Sequence, residues 1–355
     1  MKRLRTLLAL LALSVTLAAC AHGGAIDPAV LSPPAASAAT APTEPAPVVL
    51  PRDDEPHADL TEWWYYTGHL QGPAGQTYGF EFVIFQAVRS DDPPAYAAHF
   101  AVTDVGRDGF RFSERGETGA QVKAGPGLDL ALSGWTLQGA DGRFHVRADM
   151  DSYAVDLTLD SLKPAVLHDG KGLISFGPAG NSYYYSRTRL GVTGTFVDHA
   201  ESLPVTGQAW MDHQWGNFVS GGGGWDWFSI QLDDKSEVML FFLRDDTGKL
   251  TYPYGTYVDP NGSAMTLAPS AFDERPTGSW ISPTTGTTYP SGWQVSAGDL
   301  RLSLTPTVKD QELATTKTTG VTYWEGDVTI AGTHAGRPVH GQGYVELVGY
   351  PFRSR

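Results

Sequence analysis

The sequence is short of cysteine, of positive charge and of helical periodicity, and each shortage closes off a class of protein. Cys20 is the only cysteine in 355 residues, so an intrachain disulfide or a cysteine-built zinc site is not available. Lysine and arginine total 25 against 39 acids, a formal charge of −14. That balance argues against nucleic acid as a partner and against a polybasic membrane patch. The histidines show neither His-x-His nor His-Glu-x-x-His spacing, so no metal site is expected. There is no Gly-x-Ser-x-Gly elbow for a serine hydrolase, and the glycine run 221–224 lacks the Lys-Ser/Thr end of a phosphate loop. No cofactor is implied.

What is present at the start of the chain reads as an address. Lys2, Arg3 and Arg5 precede an apolar run at 7–17 that is too short to span a bilayer comfortably. It ends in Leu17-Ala18-Ala19-Cys20, which resembles a bacterial lipobox. Residues 1–20 are therefore expected to be a lipoprotein signal, and Cys20 the lipidated residue that anchors an exported protein at the cell envelope. Two or more acyl chains give the stable attachment that one chain does not. Residues 21–51, rich in Ala, Pro, Ser and Thr, cannot bury a core and read as a semi-extended tether.

From residue 52 onward the pattern is all-β. With 41 glycines, 24 prolines and turn signals such as Asp108-Gly109, Asp141-Gly142 and Asn261-Gly262, strands are expected at 62–70, 78–88, 97–105, 110–114, 143–149 and 153–159. Others are expected at 182–190, 191–196, 205–212, 225–232, 237–244 and 250–258, then at 292–295, 300–306, 321–330 and 341–348. Residues 187–205 read as a crossing between two halves.

Chemistry concentrates near the middle. Trp210-Met211-Asp212-His213-Gln214-Trp215-Gly216 and Trp225-Asp226-Trp227-Phe228 hold four of the ten tryptophans. Alternate residues of a strand share a face, so His213 lies with Met211 and Trp215, and Asp226 with Phe228, Ile230 and Leu232. A polar group on such a face is either a hydrogen-bonded core group or the working end of a pocket. A second cluster, Glu62-Trp63-Trp64-Tyr65-Tyr66, places Glu62, Trp64 and Tyr66 on one face and Trp63, Tyr65, Thr67 and His69 on the other. Strand 78–85 is apolar on both faces, with Glu81 beside Val83 and Phe85, which suggests that both faces are covered.

These segments, with Tyr323-Trp324-Glu325-Gly326 and Gly341-Gln342-Gly343-Tyr344-Val345-Glu346, resemble the hydroxyneurosporene-synthase-like (AttH-type) lipocalin-like family over residues 52–350. That family contains carotenoid 1,2-hydratases, and related fungal proteins catalyse Diels–Alder cyclisations. The resemblance implies two consecutive lipocalin-like β-barrels packed together, at residues 52–205 and 206–355. In the hydratases the His and Trp of the Asp-His-x-Trp segment matter, and these match His213 and Trp215. The hydratases also use a Tyr and an Asp on the strand after Trp-Asp-Trp. Here that strand reads Val238-Met239-Leu240-Phe241-Phe242-Leu243 and has neither.

Hydration of an isolated alkene needs a carboxyl kept protonated by an apolar site and aromatic faces to stabilise a cation. Asp226 is the expected acid, with His213 and Asp212 as further catalytic candidates. Trp210, Trp215, Trp225, Trp227, Trp64, Tyr66 and Glu62 are the expected lining of an apolar pocket. Three readings follow: a lipid-anchored binder of an apolar isoprenoid, polyene or lipid-like molecule, a cofactor-independent hydratase, isomerase or cyclase, and an accessory subunit of an envelope transport complex. Barrels filled by their own side chains are the mark of the third.

Overall fold

The computed structural model describes residues 46–89, 92–122, 126–176, 180–218 and 223–350; the signal segment, Cys20 and the tether up to residue 45 lie outside them. The first sheet is built from β1 (Thr61–Gln71), β2 (Thr77–Ala87), β3 (Ala95–Asp104), β4 (Gly109–Thr118), β5 (Gln121–Val122), β6 (Leu128–Leu132) and β7 (Trp135–Ala140). It continues with β8 (Arg143–Asp149), β9 (Tyr153–Ser161), β10 (Val166–Leu167), β11 (Leu173–Ser175), β12 (Asn181–Asp198) and β13 (Glu201–Gly216). The second sheet begins at β14 (Gly224–Leu232), β15 (Glu237–Arg244), β16 (Leu250–Val258), β17 (Ala264–Thr266) and β18 (Phe272–Pro276). After a small separate hairpin of β19 (Ser279–Ile281) and β20 (Thr288–Pro290), it is completed by β21 (Trp293–Ala297), β22 (Leu300–Pro306), β23 (Glu312–Ala314), β24 (Thr322–His334) and β25 (Arg337–Val348).

Among the described residues there is no α-helix, only short 3₁₀ turns, and none is long and apolar enough to cross a membrane. The 13-stranded sheet runs β4-β3-β2-β1-β13-β12-β9-β8-β7-β6-β5, with β10 and β11 also on β12. The 10-stranded sheet runs β17-β16-β15-β14-β25-β24-β22-β21-β18, with β23 on β24. Each curls into a nearly closed barrel.

Two expectations move. Residues 187–205 are not a crossing but the paired body of the β12–β13 hairpin, and β13 runs unbroken through the expected boundary at 205/206. The sheets divide after Gly216. Several strands, β6, β7 and β17 to β20 among them, are not among those expected from the sequence.

Both interiors are filled. Trp64, Tyr66, Phe80, Phe82, Phe100, Trp135 and Phe144 pack inside the first, and Phe228, Leu240, Trp293, Trp324 and Val345 inside the second. The Trp324-Glu325-Gly326 motif is explained by the second core: a Cβ on Gly326 would lie 1.8 Å from the Trp324 ring, so the indole folds over its own strand where only glycine leaves room. The two barrels meet through outward faces of β1, β2, β12 and β13 on one side and β14, β24 and β25 on the other, around a third cluster containing Tyr65, Val83, Trp210, Trp227 and Tyr344.

Candidate functional site

The alternation of β13 divides its chemistry between two compartments. Met211, His213 and Trp215 face the interior of the first barrel, whereas Trp210 and Asp212 face the second barrel. β14 does the same: Asp226 points with Phe228 and Ile230 into the second barrel, and Trp225 and Trp227 point back toward the first. The residues expected to form one pocket therefore occupy three places.

The first is the mouth of the first barrel. Glu62 Oε1 lies 2.7 Å from both His57 Nδ1 and His213 Nε2. Its Oε2 accepts from the His57 backbone N–H at 2.7 Å and from Gln86 Nε2 at 3.0 Å. His213 is sandwiched between Trp64 and Trp215, with ring centroids at 4.9 and 4.7 Å. Burial pulls His213 down from its ordinary value, against the pull of Glu62. Trp215 is covered in turn by His57 and Tyr183. Tyr66 faces the same interior, edge-on to Phe144. The histidine spacing gave no sign of this cluster because its members come from a loop and two strands, and Glu62 and His213 are 151 residues apart.

The second place is the mouth of the other barrel. Asp226 accepts from Arg244 Nη2 at 2.9 Å and from Tyr350 Oη at 3.0 and 3.1 Å. Burial raises its carboxyl, and Arg244 and Tyr350 oppose the rise. The two tryptophans that flank it in sequence lie on the other face of the strand, so Asp226 is an arginine-paired group and not an acid set among indoles.

The third place, between the barrels, holds acids to which no role was assigned from the sequence. Glu81 on β2, Glu325 on β24 and Glu346 on β25 converge there. Tyr323 Oη donates to Glu81 at 2.8 Å, Tyr65 Oη to Glu325 at 2.7 Å, and Trp225 Nε1 to Glu346 at 2.6 Å. Among the described residues none of the three has an ion pair. Oε2 of both Glu81 and Glu325 has no hydrogen-bond partner there. Burial pushes Glu81 up to about 8, with the Glu346 charge adding to it. Burial and the charges of Glu81 and Glu346 hold Glu325 well above the carboxylate range. Burial takes Glu346 to about 7, although Trp225 opposes it. Asp212 completes the set: it accepts from Tyr184, from Ser186 and, at 2.6 Å, from Trp210 Nε1, and burial raises it to about 6.

Aromatic rings frame this cluster. Trp63, Phe85, Phe176, Trp225 and Tyr252 are half-buried around it, and Tyr65 meets Trp227 edge-on at 5.3 Å. At the opposite end of the interface a cleft of about 680 Å³ is lined by His69, Tyr78, Arg189, Gln208, Gln231 and Asp327, among others. It carries none of the three acids. The signal for the acid cluster was legible in part: Glu81 stands between Phe80 and Phe82, and Glu325 and Glu346 lie within the aromatic motifs.

Known proteins share this architecture. The AttH-like family model matches residues 41–350. Kievitone hydratase of Fusarium solani subsp. phaseoli is 23% identical over 311 residues, 85% of this chain and 86% of the relative. A solved structure from Nitrosomonas europaea named for AttH superposes with a TM-score of 0.79 at 31% identity, over 88% of this chain and all of its own. The crystal structure of kievitone hydratase from Nectria haematococca shares the fold, with a TM-score of 0.70 at 19% identity over 85% of this chain and 93% of that one.

Proposed function

The chain belongs to the AttH-like family, and from that premise we propose that it is a cofactor-independent acid catalyst that adds water across, or eliminates it from, a carbon–carbon double bond of an apolar substrate. The observation that carries this is the set of three glutamate carboxyls that converge between the barrels without a cation, bordered by aromatic rings. A carboxyl that keeps its proton near neutral pH can give it to an alkene carbon. Glu346, the half-buried member, is the donor that a substrate at the aromatic rim reaches. The electron pair of the double bond forms the new C–H bond, and the adjacent carbon becomes a cation that Trp225 and Trp63 stabilise through their faces. Water then bonds to that carbon and returns a proton to the Glu346 carboxylate, closing the cycle without a cofactor. The kievitone hydratase relative supports the reaction class.

Filled barrel interiors were the expected mark of an accessory subunit. Packed interiors favour the inter-barrel rim over either barrel as the place for an apolar molecule, and a carrier of apolar molecules would use that same rim. The anchor belongs to this proposal: the catalyst is held at the envelope by lipid on Cys20, close to membrane-dissolved substrates. Replacing Cys20 by Ser is expected to yield either soluble protein or uncleaved precursor. Lipid modification and cleavage at the same position in that variant would remove the anchor from the proposal.

The catalytic test is incubation of the full chain with a panel of isoprenoid and prenylated aromatic alkenes in ¹⁸O-water, with mass spectrometry of the products. One labelled oxygen per product is expected, and turnover should be lost in Glu346→Gln while the fold is kept. Saturable binding of the same alkenes without product would leave a carrier. Full activity in Glu346→Gln would exclude that residue as the acid.

A further inference from the structure

At the mouth of the first barrel, on the far side of β13 from the acids, lone pairs converge without enough protons to separate them. The Asp54 carboxylate is ion-paired with Arg187 at 3.3 Å and also takes the Asp141 backbone N–H at 2.9 Å, so toward Tyr185 it can only accept. Tyr185 gives its single hydroxyl proton to Asp54 at 2.5 Å. His213 Nδ1, 3.2 Å from the same Tyr185 oxygen, must therefore be the donor in that contact, which leaves Nε2 of a neutral ring with a bare lone pair. That lone pair points at Glu62 Oε1, 2.7 Å away. The other carboxylate oxygen is already taken by two N–H donors. A positive charge placed between the two atoms would separate them, and in a side chain that is 0% exposed it would be paired with the Glu62 carboxylate.

From this geometry we infer that His57, Glu62 and His213 form a binding site for one first-row divalent cation, Zn²⁺ being the best match. The three ligand atoms lie within 4.8 Å of one another. Two imidazoles and one carboxylate are the donor set that suits zinc with one position left open. Bonds of about 2.0 Å place tetrahedral ligand atoms about 3.3 Å apart, so binding requires Glu62 Oε1 to withdraw by about 0.6 Å from its 2.7 Å contacts and the two rings to settle around the ion. The surrounding contacts are those that orient metal ligands: Tyr185 and Asp54 fix the His213 tautomer, and Gln86, itself held by Tyr96 at 2.6 Å, fixes the carboxylate. His57, whose side chain is 21% exposed, is the member of the three that reaches solvent.

The test uses the full chain stripped with a chelator and titrated with Co²⁺. A visible d–d band saturating at one ion per chain is expected, with parallel quenching of Trp64 and Trp215 and displacement by Zn²⁺. His57→Ala, at the most exposed of the three positions, should weaken binding at least about tenfold. Glu62→Gln, which keeps the shape but not the charge, should do the same. His145→Ala, at a surface His–Asp pair, should change nothing. Absence of one-to-one saturation, binding in His57→Ala as tight as in wild type, or equal weakening in His145→Ala would each overturn the site. None of these outcomes bears on Glu346, so the proposed reaction stands or falls separately.

Discussion

Two regions of the barrel–barrel interface bury glutamates, and they treat them oppositely. At one end Glu237 is fully enclosed, and it receives Lys163 Nζ at 2.7 Å and Arg189 Nε at 2.5 Å. A register slip in β12 between Arg187 and Leu190 turns the neighbours Thr188 and Arg189 to the same side, so both reach Glu237. At the centre, Glu81, Glu325 and Glu346 receive only tyrosine and tryptophan donors. Burial raises the Glu237 carboxyl too, but there two cations oppose the rise; at the centre no cation does. Enclosure alone does not set the state of an acid. The presence or absence of a cation separates a clamp between the barrels from acids that no cation holds in the charged form.

The largest effect is expected at the clamp. Glu237→Gln leaves Lys163 and Arg189 buried without their counter-charge, and breaking such a pair costs roughly 3–5 kcal/mol. Urea unfolding at pH 7 measures it, and a loss below about 1 kcal/mol would show that the clamp does not hold the barrels together. Asp226, with one partly exposed cation, is the intermediate case. Asp226→Asn removes a charged hydrogen bond from Arg244, worth roughly 1.5–3 kcal/mol, and should leave hydration turnover unchanged. Lost turnover in a stable, folded variant would return Asp226 to the mechanism.

Glu81→Gln breaks the comparison from the other side. The folded carboxyl titrates near 8 against an ordinary value of 4.5, so the folded protein holds this proton more tightly than the unfolded chain. Its stabilising contribution is complete below about pH 4.5 and is lost as pH rises to about 8. Glutamine stays neutral throughout. Relative to wild type, the variant should therefore gain stability by up to about 1.4 kcal/mol per pH unit across that window. Thermal unfolding at pH 5, 6.5 and 8 tests the sign. A variant that loses ground as pH rises would mean that Glu81 is ionised in the fold.

Much of this fold could be read from the chain and rather less of its site, and β13 shows why. Its period-2 pattern correctly put His213 with Met211 and Trp215. The same pattern puts Asp212 on the opposite face, in a compartment whose other wall is formed by residues far along the chain: Tyr65 finds Glu325 across 260 residues. Alternation reports which side of a strand a residue takes but not what stands opposite. The expected boundary near 205 failed for a related reason: glycines at 191 and 194 and a proline at 204 look like punctuation, yet the 18- and 16-residue strands of the hairpin run through them. Glu325 and Glu346 sat within motifs already singled out, but only the fold brings them together with Glu81.

The smallest effect concerns a single donor. Trp225 Nε1 gives Glu346 its hydrogen bond at 2.6 Å, and this contact favours the charged carboxylate and holds Glu346 near 7 against burial. Trp225→Phe keeps an aromatic face at the rim and removes the donor. Glu346 should then retain its proton to higher pH, seen as persistence of the infrared band of a protonated carboxyl. Below about pH 7 the lost bond is between neutral groups and should cost about 1 kcal/mol; above it the partner is charged and the cost should rise to roughly 1.5–3 kcal/mol. The penalty therefore grows with pH, opposite in sign to Glu81→Gln. The two variants fail differently: an unchanged band in Trp225→Phe would show that burial alone sets Glu346, whereas a penalty independent of pH would show that Glu346 does not titrate in the folded protein.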